Sequence, residues 1–294
     1  MTRFSRRTLT ALGLLPLLQA CSPLRLINAA VPSGTHRLEA DIAYGAAPRQ
    51  RLDVYRPLGA TDHAPLVVFF YGGSWRSGSK SDYRFAGEAL ASRGIVTVVA
   101  DYRLSPDVKY PTFLEDCALA VRWAHGQAGR LGADPRRLHL VGHSAGAYNA
   151  AMLALDPRWL RSAGLEPAQL AGWVGLAGPY DFLPIGLRDV QVAFDWPSTP
   201  ADSQPLFHAR RLEGAAPPAL LLAARSDVLV DPQRNTVSMA TALRERKVQV
   251  QSELLERVSH TTLMGAFAAP LRGLAPVLDR VSGFVKGAPV VGKS

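Results

Sequence analysis

Cysteine is nearly absent: the 294-residue chain holds two, Cys21 and Cys117. A fold stapled by several disulfides is therefore excluded. Charge is sparse too, with 19 % Asp, Glu, Lys and Arg against 48 % hydrophobic residues, a balance too apolar for a disordered chain and one that buries a sizeable core. One large domain or two small ones fit this length. Internal repeats, heptads and low-complexity blocks are lacking, and no apolar run is long enough to span a bilayer comfortably. No Gly-rich loop ends in the Lys-Ser/Thr of a phosphate cradle and no dinucleotide fingerprint follows a strand pattern, so no cofactor is expected.

What the chain does have is a basic excess, 33 Lys and Arg against 24 Asp and Glu, formally +9. Arg3, Arg6 and Arg7 belong to a leader-like segment, and 9 − 3 leaves +6 for the rest. That remainder lies in scattered pairs such as Arg136 with Arg137 and Arg210 with Arg211, interleaved with acids. Such a pattern describes a solvated surface, not a stripe that binds nucleic acid.

The first residues read as a basic segment, a charge-free apolar run from Thr8 to Ala20, and then Cys21. This is the layout of a signal peptide. Leu18-Gln19-Ala20-Cys21 resembles a bacterial lipobox, which implies lipidation of Cys21 as the mature N-terminus, and Ser5-Arg6-Arg7-Thr8-Leu9 resembles a twin-arginine export signal. Two or more acyl chains on Cys21 would hold the protein firmly on a membrane, since each buried methylene contributes about 0.8 kcal/mol. Ser22 after that cysteine resembles lipoproteins sorted to the outer membrane. The expected organisation is a lipoprotein-type signal peptide over 1–20, a tether over 21–32, one domain over 33–286 and a flexible tail over 287–294. Cys117 falls on the apolar face of a helical pattern and reads as a buried, inert thiol.

Arg37 to Ile42 and Arg51 to Tyr55 alternate as an antiparallel pair of strands would. Six further runs, Leu66 to Tyr71, Ile95 to Ala100, Arg137 to Val141, Leu170 to Leu176, Ala219 to Ala224 and Gln249 to Leu255, are mostly apolar or β-branched. Between them lie helical patterns. Phe113, Leu114, Cys117, Ala118 and Val121 recur at helical spacing, and similar stretches occupy Ala145 to Leu155, Thr236 to Arg246 and Leu271 to Phe284. Strands alternating with helices predict an α/β domain, a mostly parallel sheet with helices on both faces. The segment 178–218 is irregular, rich in Pro, and carries Phe182, Phe194, Trp196 and Phe207. A loop of that length in a compact domain is expected to be functional, here a short cap over a cleft.

Gly142-His143-Ser144-Ala145-Gly146 sits between a strand pattern and an Ala-rich helical run. A serine on such a sharp strand-to-helix turn crowds the residues two before and two after it, which is why Gly142 and Gly146 flank it. A serine hydroxyl needs a base to take its proton and a carboxylate to orient that base. His260 follows the last strand pattern, and Asp227 follows the run Ala219 to Ala224. Asp231 is the competing acid, and Asp227 is preferred because it lies closer to the strand end. Tyr71-Gly72-Gly73-Ser74-Trp75, directly after another strand, offers backbone donors for an oxyanion. Gly73 and Ser74, with Ala145, are assigned as those donors, and Gly72 is needed in the turn. His139 and His143 are four apart but on a strand and a turn, and no acid or cysteine completes a metal set with them.

With Leu52-Asp53-Val54-Tyr55-Arg56-Pro57 and Asp101-Tyr102-Arg103-Leu104-Ser105-Pro106, these motifs resemble the α/β-hydrolase carboxylesterase group, related to hormone-sensitive lipase, feruloyl-esterase-like enzymes and kynurenine formamidases. The resemblance spans about Leu52 to Pro270. It implies an α/β-hydrolase fold, a Ser144–His260–Asp227 triad acting through an acyl-enzyme, and a small acyl ester as substrate. Tyr71 stands where that group often has His, and Ser74 where many members have a third Gly. Two other readings stay open: formamide or amide cleavage on the same residues, and a membrane-tethered binding protein that has lost turnover on this scaffold.

Overall fold

The computed structural model describes residues 27–59 and 62–287. Cys21, the leader and the tail beyond Gly287 lie outside the described residues. Among the described residues eight strands form one sheet in the order β1-β2-β4-β3-β5-β6-β7-β8. These are β1 (His36–Ala43), β2 (Arg51–Pro57), β3 (Ala64–Phe70), β4 (Val96–Ala100), β5 (Ala133–His143), β6 (Gly172–Leu176), β7 (Ala219–Ala224) and β8 (Val250–Leu255). The first two are antiparallel to each other, β2 is antiparallel to β4, and every other neighbouring pair is parallel. Every residue of β3, β4, β6 and β7 is buried, so these strands are apolar on both faces instead of alternating.

The crossovers decide where a ligand can sit. The chain leaves β3, passes through α1 (Arg84–Ala91) and returns as β4 on one side of β3. From β4 it passes through α2 (Thr112–Gln127) to β5 on the other side. Right-handed connections running in opposite directions put α1 and α2 on opposite faces. The later helices α3 (Ala145–Leu155), α4 (Pro157–Ser162), α5 (Arg188–Ala193), α6 (Pro205–Arg210) and α7 (Ser238–Glu245) follow crossovers in the second direction. After them come α8 (His260–Gly265) and α9 (Val277–Lys286), the latter packed beside α1. The crevice between the carboxyl ends of β3 and β5, where the winding reverses, is the natural binding position in such a sheet.

Helix α3 carries the elbow and is enclosed all round, with all eleven residues buried. Its small residues Ala145, Ala147, Ala150, Ala151 and Ala154 let β3, α2 and α6 approach it closely. The 178–218 segment is packed on the domain. Phe194 stacks with Tyr110 and meets Trp75, Tyr148 and Phe182 edge-on, whereas Phe207 faces outward under the Arg211 guanidinium. Residues 27–32, assigned to the tether, are also docked. Asn28 donates to the carbonyls of Ser81 and Asp82 and accepts from the Phe85 N–H.

Candidate active site

Strand β5 ends at His143, and Ser144 takes φ +53°, ψ −121°, a conformation L-residues avoid and a tight elbow requires. The two glycines flanking it are needed for space. A Cβ on Gly142 would stand 2.1 Å from the Gly146 carbonyl oxygen, and one on Gly146 would stand 2.0 Å from that of Phe70. No side chain fits either position, so the helix presses directly on the end of β3.

The loop after β3 comes equally close. A Cβ on Gly72 would lie 2.9 Å from the Ser144 Cβ, and Gly73 adopts φ +132° with a Cβ position 2.2 Å from the Ser77 carbonyl oxygen. Ser74 and Trp75 follow with φ +52° and +56°. The left-handed run turns this backbone inward. Gly73, Ser74 and Ala145 all line one cavity with Ser144, and among the described residues none of their N–H groups donates a hydrogen bond. Tyr71 anchors the loop from behind: its hydroxyl donates to Asp101 Oδ1 at 2.7 Å and accepts from Arg49 Nη2 at 2.8 Å. Its ring is stacked on that of Tyr102, 4.8 Å away between centroids. On the other side Trp75 Nε1 donates to Asn149 Oδ1 of α3 at 3.0 Å. Asn149 in turn reaches the sulfur of Cys117, whose thiol is fully buried and pushed well up by that burial.

His260 opens α8, and its Nδ1 donates to Asp227 Oδ2 at 2.8 Å. Asp227 Oδ1 accepts the N–H groups of Leu229 at 2.9 Å and Val230 at 3.0 Å. Burial by itself would raise this carboxyl, but the His260 bond and the two backbone donors outweigh it and hold Asp227 below the ordinary carboxylate range. Asp231 does not compete for the imidazole. It is exposed, and its Oδ1 caps the next turn through the N–H groups of Gln233 and Arg234. No hydrogen bond from Ser144 Oγ to His260 Nε2 is formed in this structure. Such contacts in hydrolase sites often tighten only around bound substrate.

The cavity that Ser144 and His260 share has a volume of ≈ 390 Å³, and among the described residues no Asp, Glu, Lys or Arg lines it. Trp75, Phe85, Phe182, Ile185, Val190 and Met264 supply apolar wall. Of the four cap aromatics only Phe182 reaches it. Ile27, Phe85 and Met264 escaped the sequence reading, because nothing in their local pattern separates a cavity wall from ordinary core. The two histidines four apart serve different partners. His139 Nδ1 donates to the Arg137 carbonyl at 2.9 Å, and His143 Nε2 donates to the His260 carbonyl at 3.1 Å.

Residues 52–192 match the BD-FAE family. A probable isoprenylcysteine alpha-carbonyl methylesterase of Oryza sativa subsp. japonica is 35% identical over 147 residues, which is 48% of this chain and 35% of that protein. A kynurenine formamidase of Danio rerio is 31% identical over 176 residues, 58% of each chain. The chain thus spans about a third of the first relative's length and little over half of the second's. A solved arylesterase superposes with a TM-score of 0.71 at 26% identity, over 90% of this chain and 88% of its own. The fold is that of the α/β-hydrolases, and the sequence matches are to esterases and a formamidase.

Proposed function

We propose that this protein is a serine carboxylesterase acting on small, uncharged acyl esters. The single observation that carries the reading is the convergence on one charge-free cavity of the Ser144 elbow, the Asp227-bound His260 and three unengaged backbone N–H groups. His260 takes the proton from Ser144 as its oxygen attacks the acyl carbon, and Asp227 holds the imidazole with its proton on Nδ1 and stabilises the imidazolium. The N–H groups of Gly73, Ser74 and Ala145 hold the tetrahedral oxyanion, each donor worth about 3 kcal/mol of barrier. His260 then protonates the leaving alcohol, and a water activated by the same imidazole releases the acid.

Formamide cleavage is the second reading, favoured by the formamidase relative at 31% identity. Among the described residues the lining holds no carboxylate, ammonium or guanidinium to pair with a charged substrate, which favours an uncharged acyl group. The wall therefore suits the uncharged ester proposed above. Hydrolysis of p-nitrophenyl esters of rising chain length, beside an isosteric amide and the Ser144→Ala variant, tests this. Turnover that survives in Ser144→Ala, or amide turnover above ester turnover, refutes it. A protein that neither turns over esters nor labels at Ser144 with a fluorophosphonate would be a binding protein on this scaffold.

We also propose export and anchoring by lipid on Cys21, supported by Leu18-Gln19-Ala20-Cys21 after the apolar run. Cys21→Ala should move the protein from the membrane to the soluble fraction; a variant that still sediments with membranes refutes the anchor.

A further inference from the structure

His143 is a buried titratable residue that the mechanism above leaves unused. It is 6% exposed, and its ring centroid lies 5.0 Å from that of His260. Its Nε2 faces the His260 carbonyl oxygen at 3.1 Å. A carbonyl accepts only, so Nε2 carries a proton, and burial holds the ring neutral. Nδ1 is buried without a hydrogen-bond partner among the described residues and faces the backbone of Gly72, where a Cβ would come within 3.1 Å of it. A core that leaves one imidazole nitrogen unsatisfied retains it for what the other nitrogen does.

The geometry points to His143 as a positioning residue for the base: its Nε2–H, on the residue covalently joined to Ser144, pins the main chain of His260 and so sets the distance from imidazole to nucleophile. This rests on the triad reading above. Other bonds restrain the His260 loop, Arg225 to Glu256 at its start among them, and among the described residues none reaches the elbow. Asp227 fixes how the ring is turned. The Ser259–Thr262 pair, with the Ser259 N–H donating to Thr262 Oγ1 at 2.7 Å and the Thr262 N–H to Ser259 Oγ at 3.3 Å, ties the loop to itself. Among the described residues, the His143 bond is the hydrogen bond that joins the nucleophile turn to the loop of the base. Reacting groups displaced by about 1 Å lose on the order of a hundredfold in rate, so this one bond is placed where a small drift matters.

The test compares His143→Leu, which removes the donor, with His143→Gln, whose terminal amide carries an N–H at similar reach. Wild type and Ser144→Ala run beside them on p-nitrophenyl butyrate, active sites are titrated with a fluorophosphonate, and melting temperatures are recorded. The expected result is a fall of roughly ten- to a hundredfold in kcat per titrated site for His143→Leu with KM changed little, and recovery to within about threefold in His143→Gln. A role in stability alone would lower the melting temperature and the titratable fraction and leave kcat per site unchanged, which overturns the proposal. Equal losses in both variants overturn it as well, because the N–H would then not be what matters. Should His143→Leu fail to fold, His143→Asn, its amide too short to reach the carbonyl, replaces it under the same criteria. A wild type without Ser144-dependent turnover would instead remove the esterase reading, and this role with it.

Discussion

Acid should unfold this protein through two histidines that do not share its chemistry equally. Burial pushes the His139 imidazole from 6.5 down to about 4, and burial together with the neighbouring His260 pushes His143 from 6.5 down to about 3. Each stays neutral in the folded chain while its unfolded counterpart takes up a proton below about pH 6.5. The unfolded state therefore binds more protons, stability rises with pH across this window, and it is lost as pH falls from 6.5 toward the folded values. At pH 4.5 each histidine costs about 2.5 kcal/mol relative to pH 8, against a total stability of about 5–15 kcal/mol for a domain. Asp101 opposes part of this, since burial raises its carboxyl and a raised acid gains stability on acidification. Asp227, held low, contributes its loss only nearer its folded value, at the acid end of the window. The clean measurement is thus a difference. Urea unfolding of wild type and His139→Leu at several pH values from 8 to 4.5 should show the variant losing about 2.5 kcal/mol less, on the order of 1 M in midpoint. Parallel curves would mean that His139 is not held neutral in the fold, and the argument from burial would be wrong.

Three further outcomes follow from particular contacts. Gly146→Ala forces a Cβ to within 2.0 Å of the Phe70 carbonyl oxygen, and should cost about 3 kcal/mol, lowering the melting temperature by roughly 6–12 °C or preventing folding; an unchanged melt would contradict the packing of the elbow on β3. Tyr71→Phe removes the donor to Asp101 and the acceptor of Arg49, and should cost about 1–3 kcal/mol in thermal unfolding with a lower kcat from a looser oxyanion loop. Asp227→Asn keeps the shape but presents the wrong hydrogen-bonding group to His260 Nδ1, so ester turnover and fluorophosphonate labelling of Ser144 should both drop about 10³–10⁴-fold in a protein that melts as the wild type does.

The sheet was legible because strands buried on both faces are written as unbroken apolar runs, and each expected run became a strand. The elbow was legible because its constraint is local: Gly142 and Gly146 are dictated by contacts within a few residues and by one neighbouring strand. Helix α1 was overlooked although Phe85, Ala86, Ala89 and Leu90 have helical spacing, since Gly87 sits in its middle and lowers the propensity. The structure supplies the reason for that glycine, a Tyr55 ring 2.4 Å from where a Cβ would stand. The last helix was expected over Leu271 to Phe284 but begins at Val277, because Gly273 and Pro276 interrupt the pattern and Ala269–Leu271 forms a separate tight turn. Helix α7 likewise starts at Ser238, behind the wider turn Gln233–Val237. Gly273 and Pro276 are local breakers, whereas the Tyr55 contact that requires Gly87 is tertiary, and a pattern read one segment at a time does not contain it.

The same division explains which parts of the site could be named in advance. Ser144, Asp227 and His260 are set by their places at strand ends, so chain order and strand context were enough to pair Asp227, and not Asp231, with the imidazole. Tyr71 and Asp101 were visible only as parts of motifs. Their work is at a distance in sequence: a phenol from the end of β3 and a carboxylate from the end of β4 lock the Gly72–Gly73 turn against the sheet. The Gly72–Gly73 turn and Ser144 sit at the ends of β3 and β5, neighbours in the sheet, with Asp227 beyond the end of β7 and His260 opening the helix after β8. Much of the cavity wall comes from elsewhere, Ile27 before the sheet begins, Phe182 to Val190 in the inserted segment, and Leu229 and Val230 after β7. Substitutions there can reshape what is bound while leaving the reacting groups where β3, β5 and β7 put them, so acyl preference should respond to Phe182 or Ile185 without loss of Ser144 reactivity.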